Sequence, residues 1–201
     1  MKLFQHQHFD YVIGIRPSCQ KNTSTPALAT DAFGAVEVVV RYRNRMKLPK
    51  QLEKESVESD VRAALERESI ELYSDSEIYI PVLKLSQELR KQIFYAKSLG
   101  ELIFGYEAIE KALANELRGL QKVDSQSDRV SRLLIVTNDG SPRFYRELEF
   151  LHKKQGRRVM ICRLDVGSVL MGNILGFKGK QVKAVLLNRK KSVINVLKSL
   201  L

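Results

Sequence analysis

From residue 84 onward the apolar positions change period in regular blocks. The stretch SQELRKQIFYAKSLG (86–100) has helical spacing and ends on Gly100, a residue suited to leaving a helix. GYEAIEKALANELRGL (105–120) puts Ile109, Ala112, Leu113 and Leu117 on one helical face, and the polar stretch 121–128 predicts a loop. RLLIVTN (132–138) is a continuous apolar run, as a strand buried on both faces requires. It is followed by a helix over 142–156, a strand over 157–164 and a short helix over 166–176. A strand over 183–188 and a helix over 192–201 close the order, with Val193, Val196, Leu197, Leu200 and Leu201 forming one stripe. Strands alternating with helices predict a parallel or mixed sheet covered on both faces. The expected class is therefore α/β: a three-layer α-β-α sandwich with a mixed sheet over residues 85–201.

The first 84 residues read differently and predict a small α+β domain. DYVIGI (10–15) and the β-branched run 35–43 predict strands, separated by a Pro-, Ser- and Thr-rich loop (16–30). NRMKLPK (44–50) ends the second strand. Residues 56–70 predict a helix with Ser56 or Ser59 as N-cap and Val57, Val61, Ala64, Leu65 and Ile70 as its apolar stripe. EIYIPV (77–82) is a short extended run that Pro81 stops.

Charge sharpens this division. The chain carries a formal charge of +11, yet residues 1–117 hold 16 Lys/Arg against 17 Asp/Glu while residues 118–201 hold 18 against 6. A basic half beside a neutral one points to a polyanionic partner. Two cysteines, Cys19 and Cys162, cannot build a disulfide framework and suggest a reducing compartment. The N-terminal stretch lacks the continuous apolar segment of a signal peptide, and no run approaches the roughly 20 apolar residues that span a bilayer. A cytoplasmic protein with no membrane partner is expected.

Candidate chemistry is sparse. His6, His8 and Cys19 lack the paired spacing of a zinc site, and neither a metal nor a cofactor is expected. No Gly-x-Ser-x-Gly elbow is present, and Cys162 lies in an apolar strand where a thiol is inert. Gly176–Lys180 (GFKGK) is either a basic turn able to meet phosphate or a helix C-cap leading into a strand. VTNDGSPRFYRE (136–147) places Asp139 where α/β sites gather. General acid–base work needs a partner that the scattered carboxylates do not offer, whereas Asn138, Asp139 and Gly140 suit a turn, Ser141 an N-cap and Pro142 a first helical position. The basic groups HKKQGRR (152–158) and NRKK (188–191) could neutralise phosphates. Phe144, Tyr145 and Phe177 are candidates either for base stacking or for the core.

With these elements in order, residues 88–201 resemble the YlxQ-like bacterial branch of the kink-turn-binding ribosomal-protein superfamily (the L-seven-Ae type). The stretches that carry the resemblance are YAKSLGELIFGYEAIEKAL (95–113), LLIVTNDGSP (133–142), VLMGNILG (169–176) and VKAVLLNRKKSVINVLKSLL (182–201). The resemblance implies a fold without catalytic residues that binds RNA through Gly105, Tyr106, Glu107 and Lys111, through Asn138 and Asp139, and through Val169, Leu170, Met171 and Gly172. Lys97, Lys178 and Lys180 complete the expected RNA-binding set. Classical kink-turn binders carry Asn-Glu where this chain has Glu107-Ala108. A carboxylate there repels phosphate, which separates kink-turn specificity from RNA binding in general. The N-terminal part resembles YlxR, a small RNA-associated domain fused to YlxQ-like domains in some bacteria. Its cues are RPSCQKN (16–22), GAVEVVV (34–40), MKLP (46–49) and residues 57–89, with KQLEKES replacing the family's Gly-Arg-Gly-aromatic turn.

The expected function is thus non-enzymatic RNA binding, with ribosomal or other structured RNA and ribonucleoprotein components as partners. Two other readings stand beside it. One is an RNA- or nucleotide-processing enzyme using Asp139 and the Gly176–Lys180 turn. The other is a protein-interaction module in ribosome or RNase assembly.

Overall fold

The computed structural model describes residues 46–74, 76, 78–120 and 127–201. The strands expected at 10–15 and 35–43, together with His6, His8 and Cys19, lie outside them. The described chain runs α1 (Lys50–Lys54), α2 (Glu58–Glu66), β1 (Ser69–Glu71), β2 (Tyr79–Leu83), α3 (Gln87–Ser98), β3 (Leu102–Phe104) and α4 (Tyr106–Leu120). It continues through β4 (Arg132–Val136), α5 (Pro142–Gln155), β5 (Val159–Leu164), α6 (Ser168–Ile174), β6 (Ala184–Leu187) and α7 (Lys190–Lys198).

The six strands form one sheet in the order β1-β2-β5-β4-β6-β3. Strand β5 is parallel to both β2 and β4, while β1, β6 and β3 run antiparallel to their neighbours. The fold is α/β with a mixed sheet. Strand β2, from the expected N-terminal module, pairs with β5 of the expected C-terminal one, so the sheet crosses the boundary placed at residue 84.

Alternation along the central strands builds two cores. Leu133 and Ile135 of β4 face Met160, Cys162, Leu164, Val185 and Leu187, under α1, α2, α3, α6 and α7. Leu134 and Val136 face the other way, with Ile161, Ala184 and Leu186, under Ile109 and Leu113 of α4 and Leu148 and Leu151 of α5. Residues Leu133 to Val136 are fully buried, which is why β4 reads as a continuous apolar run. Cys162 is sealed in the first core, and burial pushes its thiol pKa far up.

Several boundaries differ from the sequence reading. Ser56 is not an N-cap: it takes a left-handed φ of 57° between α1 and α2, and α2 starts after Val57. Ser59 lies inside that helix. Glu58 and Asp60 in the first turn offset the missing cap by meeting the positive helix end. Ile70 is not on the helical stripe but in β1, where it packs on the second core while Val61 and Leu65 pack in the first. Pro81 does not stop its strand. It pairs in register with Ser69, and β2 bonds β5 only from Val82 onward, so the missing N–H interrupts no ladder. Helix α1 and strand β3 were not expected, being only five and three residues long. Leu201 does not join the α7 stripe and is exposed. Among the described residues no helix is long and apolar enough to cross a membrane.

Candidate nucleic-acid interface

The strand register fixes which loops meet. Val136 pairs with Arg163 and with Ala184, Phe104 pairs with Val185, and Leu83 with Leu164. The carboxyl ends of β2, β3, β4 and β5 and the start of β6 therefore share one rim of the sheet. The chain leaves or enters that rim at Gly105, at Thr137–Gly140, at Ser168 and at Lys178–Lys183. The three stretches singled out in the sequence are thus brought to one edge.

The turn after β4 is held from both sides. Thr137 is fully buried, and its amide donates to the Lys183 carbonyl at 3.0 Å. Its hydroxyl donates to Asp139 Oδ1 at 2.7 Å. The other oxygen, Oδ2, accepts from the Ser168 amide at 2.8 Å and from the Ser168 hydroxyl at 2.7 Å. Helix α6 has no side-chain cap from Gly167, its own N-cap residue, so Asp139 supplies one from a different loop. Partial burial works to raise the Asp139 pKa, but the Ser168 and Thr137 donors outweigh it and hold the carboxyl below its ordinary value. Both carboxylate oxygens are committed to the fold, which is poor placement for a proton-transfer group.

Tyr145 locks the same turn from below. Its hydroxyl donates to the Thr137 carbonyl at 2.7 Å and accepts from the Gly140 amide at 2.9 Å. A Cβ on Gly140 would lie 2.6 Å from the Tyr145 ring, so this close approach needs glycine. Of the two alternatives for Tyr145 the structure takes the core one: the ring is buried and does not face solvent. Ser141 caps α5, accepting from the Phe144 amide at 3.3 Å, with Pro142 at the first helical position. Asn138 stays exposed; its amide group donates to Asp165 Oδ1 at 3.1 Å.

The other expected contacts divide by depth. Gly105 turns the chain from β3 into α4 with a φ of +88°, and its carbonyl accepts the first helical bond from Ile109. Tyr106 is half-buried, edge-on to Phe144 at 6.4 Å. Glu107 and Lys111 are both exposed, and no ion pair joins them. On α6, Val169 and Leu170 are exposed, whereas Met171 and Gly172 are buried beneath them. A Cβ on Gly172 would fall 1.9 Å from the Lys180 carbonyl oxygen, so Gly172 serves the packing of the following turn.

That turn, Gly176–Lys180, is a helix exit. Gly176 and Gly179 take φ values of +72° and +73°, and the Phe177 amide donates to the Gly172 carbonyl at 2.8 Å. Lys97 reaches across from α3 to donate to the Leu175 carbonyl, placing a cation at the negative end of α6. The same ammonium lies 4.2 Å from the centre of the Phe177 ring. Lys178, Lys180 and Lys183 remain exposed on this rim.

The two basic groups lie elsewhere. NRKK follows the last residue of β6, and Arg158 precedes the first of β5, both at the opposite rim, where Leu187 and Val159 pair with Leu133 and Arg132. Much of the 152–158 charge is paired there. Arg158 and Arg132 share Glu116, Arg157 meets Asp128 at 3.9 Å and Lys153 meets Glu149 at 2.9 Å. Arg189, Lys190 and Lys191 are exposed with no acidic partner among the described residues.

Sequence reasoning missed Ser168 and Thr137: Ser168 meets Asp139 across 29 residues and Thr137 meets Lys183 across 46, separations that only the fold closes. It also missed Phe94 and Phe104, both largely exposed on or beside the candidate rim. Phe94 carried a signal, since it falls outside the Leu89–Ile93–Ala96 stripe that α3 buries. Among the described residues no group of three or more His, Cys, Asp or Glu side chains is placed to hold a metal ion. No protein-family model matches the chain, and no curated protein matches it.

Proposed function

We propose that this chain is a non-enzymatic RNA-binding protein of the YlxR–YlxQ type that contacts ribosomal or other structured RNA through its basic C-terminal half. The observation that carries this reading is the convergence of the Gly105, Asn138 and Val169 stretches on one rim beside Lys178, Lys180 and Lys183. Exposed lysines with no acidic partner among the described residues are suited to replacing the counterions of a phosphate backbone. Exposed Val169 and Leu170 beside them offer apolar contact to a base or sugar. Asp139, a carboxylate at the carboxyl edge of the sheet, has both oxygens engaged by Thr137 and Ser168, and Asp165 on the same rim accepts from Asn138, which favours binding over catalysis.

Filter retention of labelled cellular RNA, titrated against sodium chloride, tests the proposal. Retention is expected at low salt, with affinity falling by a large factor between about 50 and 200 mM. Folded protein that retains no RNA at the lower concentration overturns it.

A further inference from the structure

We infer that Phe104, Phe177 and Phe94, with Lys97, form a seat for an unpaired nucleotide of a bound RNA. The inference rests on the RNA-binding reading above and specifies what its rim takes.

The four side chains come from three elements and form one surface. The Phe104 ring, at the end of the edge strand β3, lies 4.8 Å from the Phe177 ring at a tilt of 58°. Lys97 covers Phe177 at 4.2 Å, and the space over Gly176 is bordered by Lys97 Nζ and Phe94 Cε2, at 3.6 and 4.0 Å from where a Cβ would stand. Phe94 is 50% exposed and Phe104 43%, and neither ring belongs to the two buried cores. Aromatic surface left in water in a contiguous patch marks a binding site more often than a lone exposed apolar residue does.

The charge around it selects the occupant. Lys178 and Lys180 follow Phe177 directly and are exposed, and Lys97 sits inside the patch. The nearest carboxylates along the chain are Glu101, which lies at the other end of β3 and accepts from the Ser192 hydroxyl, and Glu107, on the first turn of α4. Protein interfaces are depleted of lysine at their centres, whereas single-stranded nucleic acid is bound by aromatic faces with cations alongside. The bases of a duplex already stack on one another, so a ring platform is open only to an unpaired or splayed base. The base would lie on Phe104 and its flanking phosphates would meet Lys178 and Lys180.

The test is fluorescence anisotropy of the full chain with two labelled probes, a 12-nucleotide oligouridylate and a blunt 16-base-pair RNA duplex. Phe104→Ala and, as an independent surface variant, Phe94→Ala are compared with Phe104→Tyr, all checked for folding by circular dichroism. Phe104→Ala is expected to weaken oligouridylate binding about 10-fold, with Phe104→Tyr near wild type. Duplex affinity should hold, and so should the salt slope, because a ring releases no counterions. Oligouridylate binding unchanged in both alanine variants overturns the inference while leaving RNA binding intact. The same follows if the variants instead lose a protein partner. A wild-type chain that binds neither probe overturns the RNA-binding reading itself.

Discussion

Asp139 and Ser168 stand 29 residues apart in the chain, yet one carboxylate oxygen accepts from both the amide and the hydroxyl of the serine, at 2.8 and 2.7 Å. The bond pair ties the turn after β4 to the first residue of α6. Those two segments also carry Asn138 and Val169–Leu170, so the tie sets the spacing of the candidate RNA contacts. Asp139, read from the sequence as a turn residue rather than a catalytic one, also caps a neighbouring helix.

Removing that cap should cost stability. Asp139→Asn keeps one acceptor but loses the charge, and Ser168→Ala loses the hydroxyl. Each is expected to destabilise by about 1 kcal/mol, the usual worth of a helix cap. Because both act on one interaction, the double variant should cost clearly less than the sum. The Asp139 carboxyl titrates below its ordinary value, so its contribution is present above about pH 3.8 and disappears as pH falls through the lower folded value. Urea titrations at pH 7 and at pH 3 would show the gap between wild type and Asp139→Asn narrowing. Additive single effects would rule the tie out.

Tyr145→Phe removes one hydroxyl that serves two backbone groups. The Thr137 carbonyl and the Gly140 amide lose their partner, and Thr137 is wholly buried. A loss of about 1–3 kcal/mol follows from leaving such groups unsatisfied. Thermal unfolding should register it as a drop of several degrees, at about 2–4 °C per kcal/mol for a chain of this size. An unchanged midpoint would mean that water replaces the hydroxyl.

Much of this fold was legible because the helices and buried strands past residue 84 are long enough for their periods to show. Ser141, Pro142 and Gly100 mark helix ends as expected, since caps act locally. What failed was short or non-local. Helix α1 buries one residue, Leu52, and β3 is an edge strand of three, too little for any periodicity. Ile70 continued the helical stripe by chance and was claimed by the antiparallel pairing with Ile80, a tertiary contact. The candidate rim was legible as three separate loops; that they meet while the charge runs 152–158 and 188–191 fall on the far side follows from strand direction alone.

Buried imidazole makes a second pH dependence. Burial pushes the His152 pKa below 6.5, against the Val159 backbone and Glu149, which pull it up. The unfolded chain therefore takes up a proton that the folded one resists, so stability is full above pH 6.5 and declines as pH falls below it. Melting temperature should be level from about pH 8 to 7 and drop toward pH 5. His152→Gln should flatten that drop whatever its effect at pH 8. A parallel decline in the variant would assign the dependence to other groups.

The two rims make opposite demands on charge variants. Lys178, Lys180 and Lys183 lie with the candidate loops, and Arg189, Lys190 and Lys191 lie at the other ends of the strands. Both triplets are exposed, so conversion to glutamine should leave the fold intact and remove the same formal charge. If RNA sits on the candidate rim, the Lys178/Lys180/Lys183→Gln variant should bind more weakly and lose about two from the slope of log affinity against log salt, near 0.7 per phosphate contact on single strands. The Arg189/Lys190/Lys191→Gln variant should keep nearly all of that slope, since charges beyond about 8–10 Å are screened at ordinary ionic strength. Equal losses in the two variants would indicate diffuse attraction to the basic half as a whole. A larger loss in the second would move the RNA to the rim carrying the exposed N-terminus of α7.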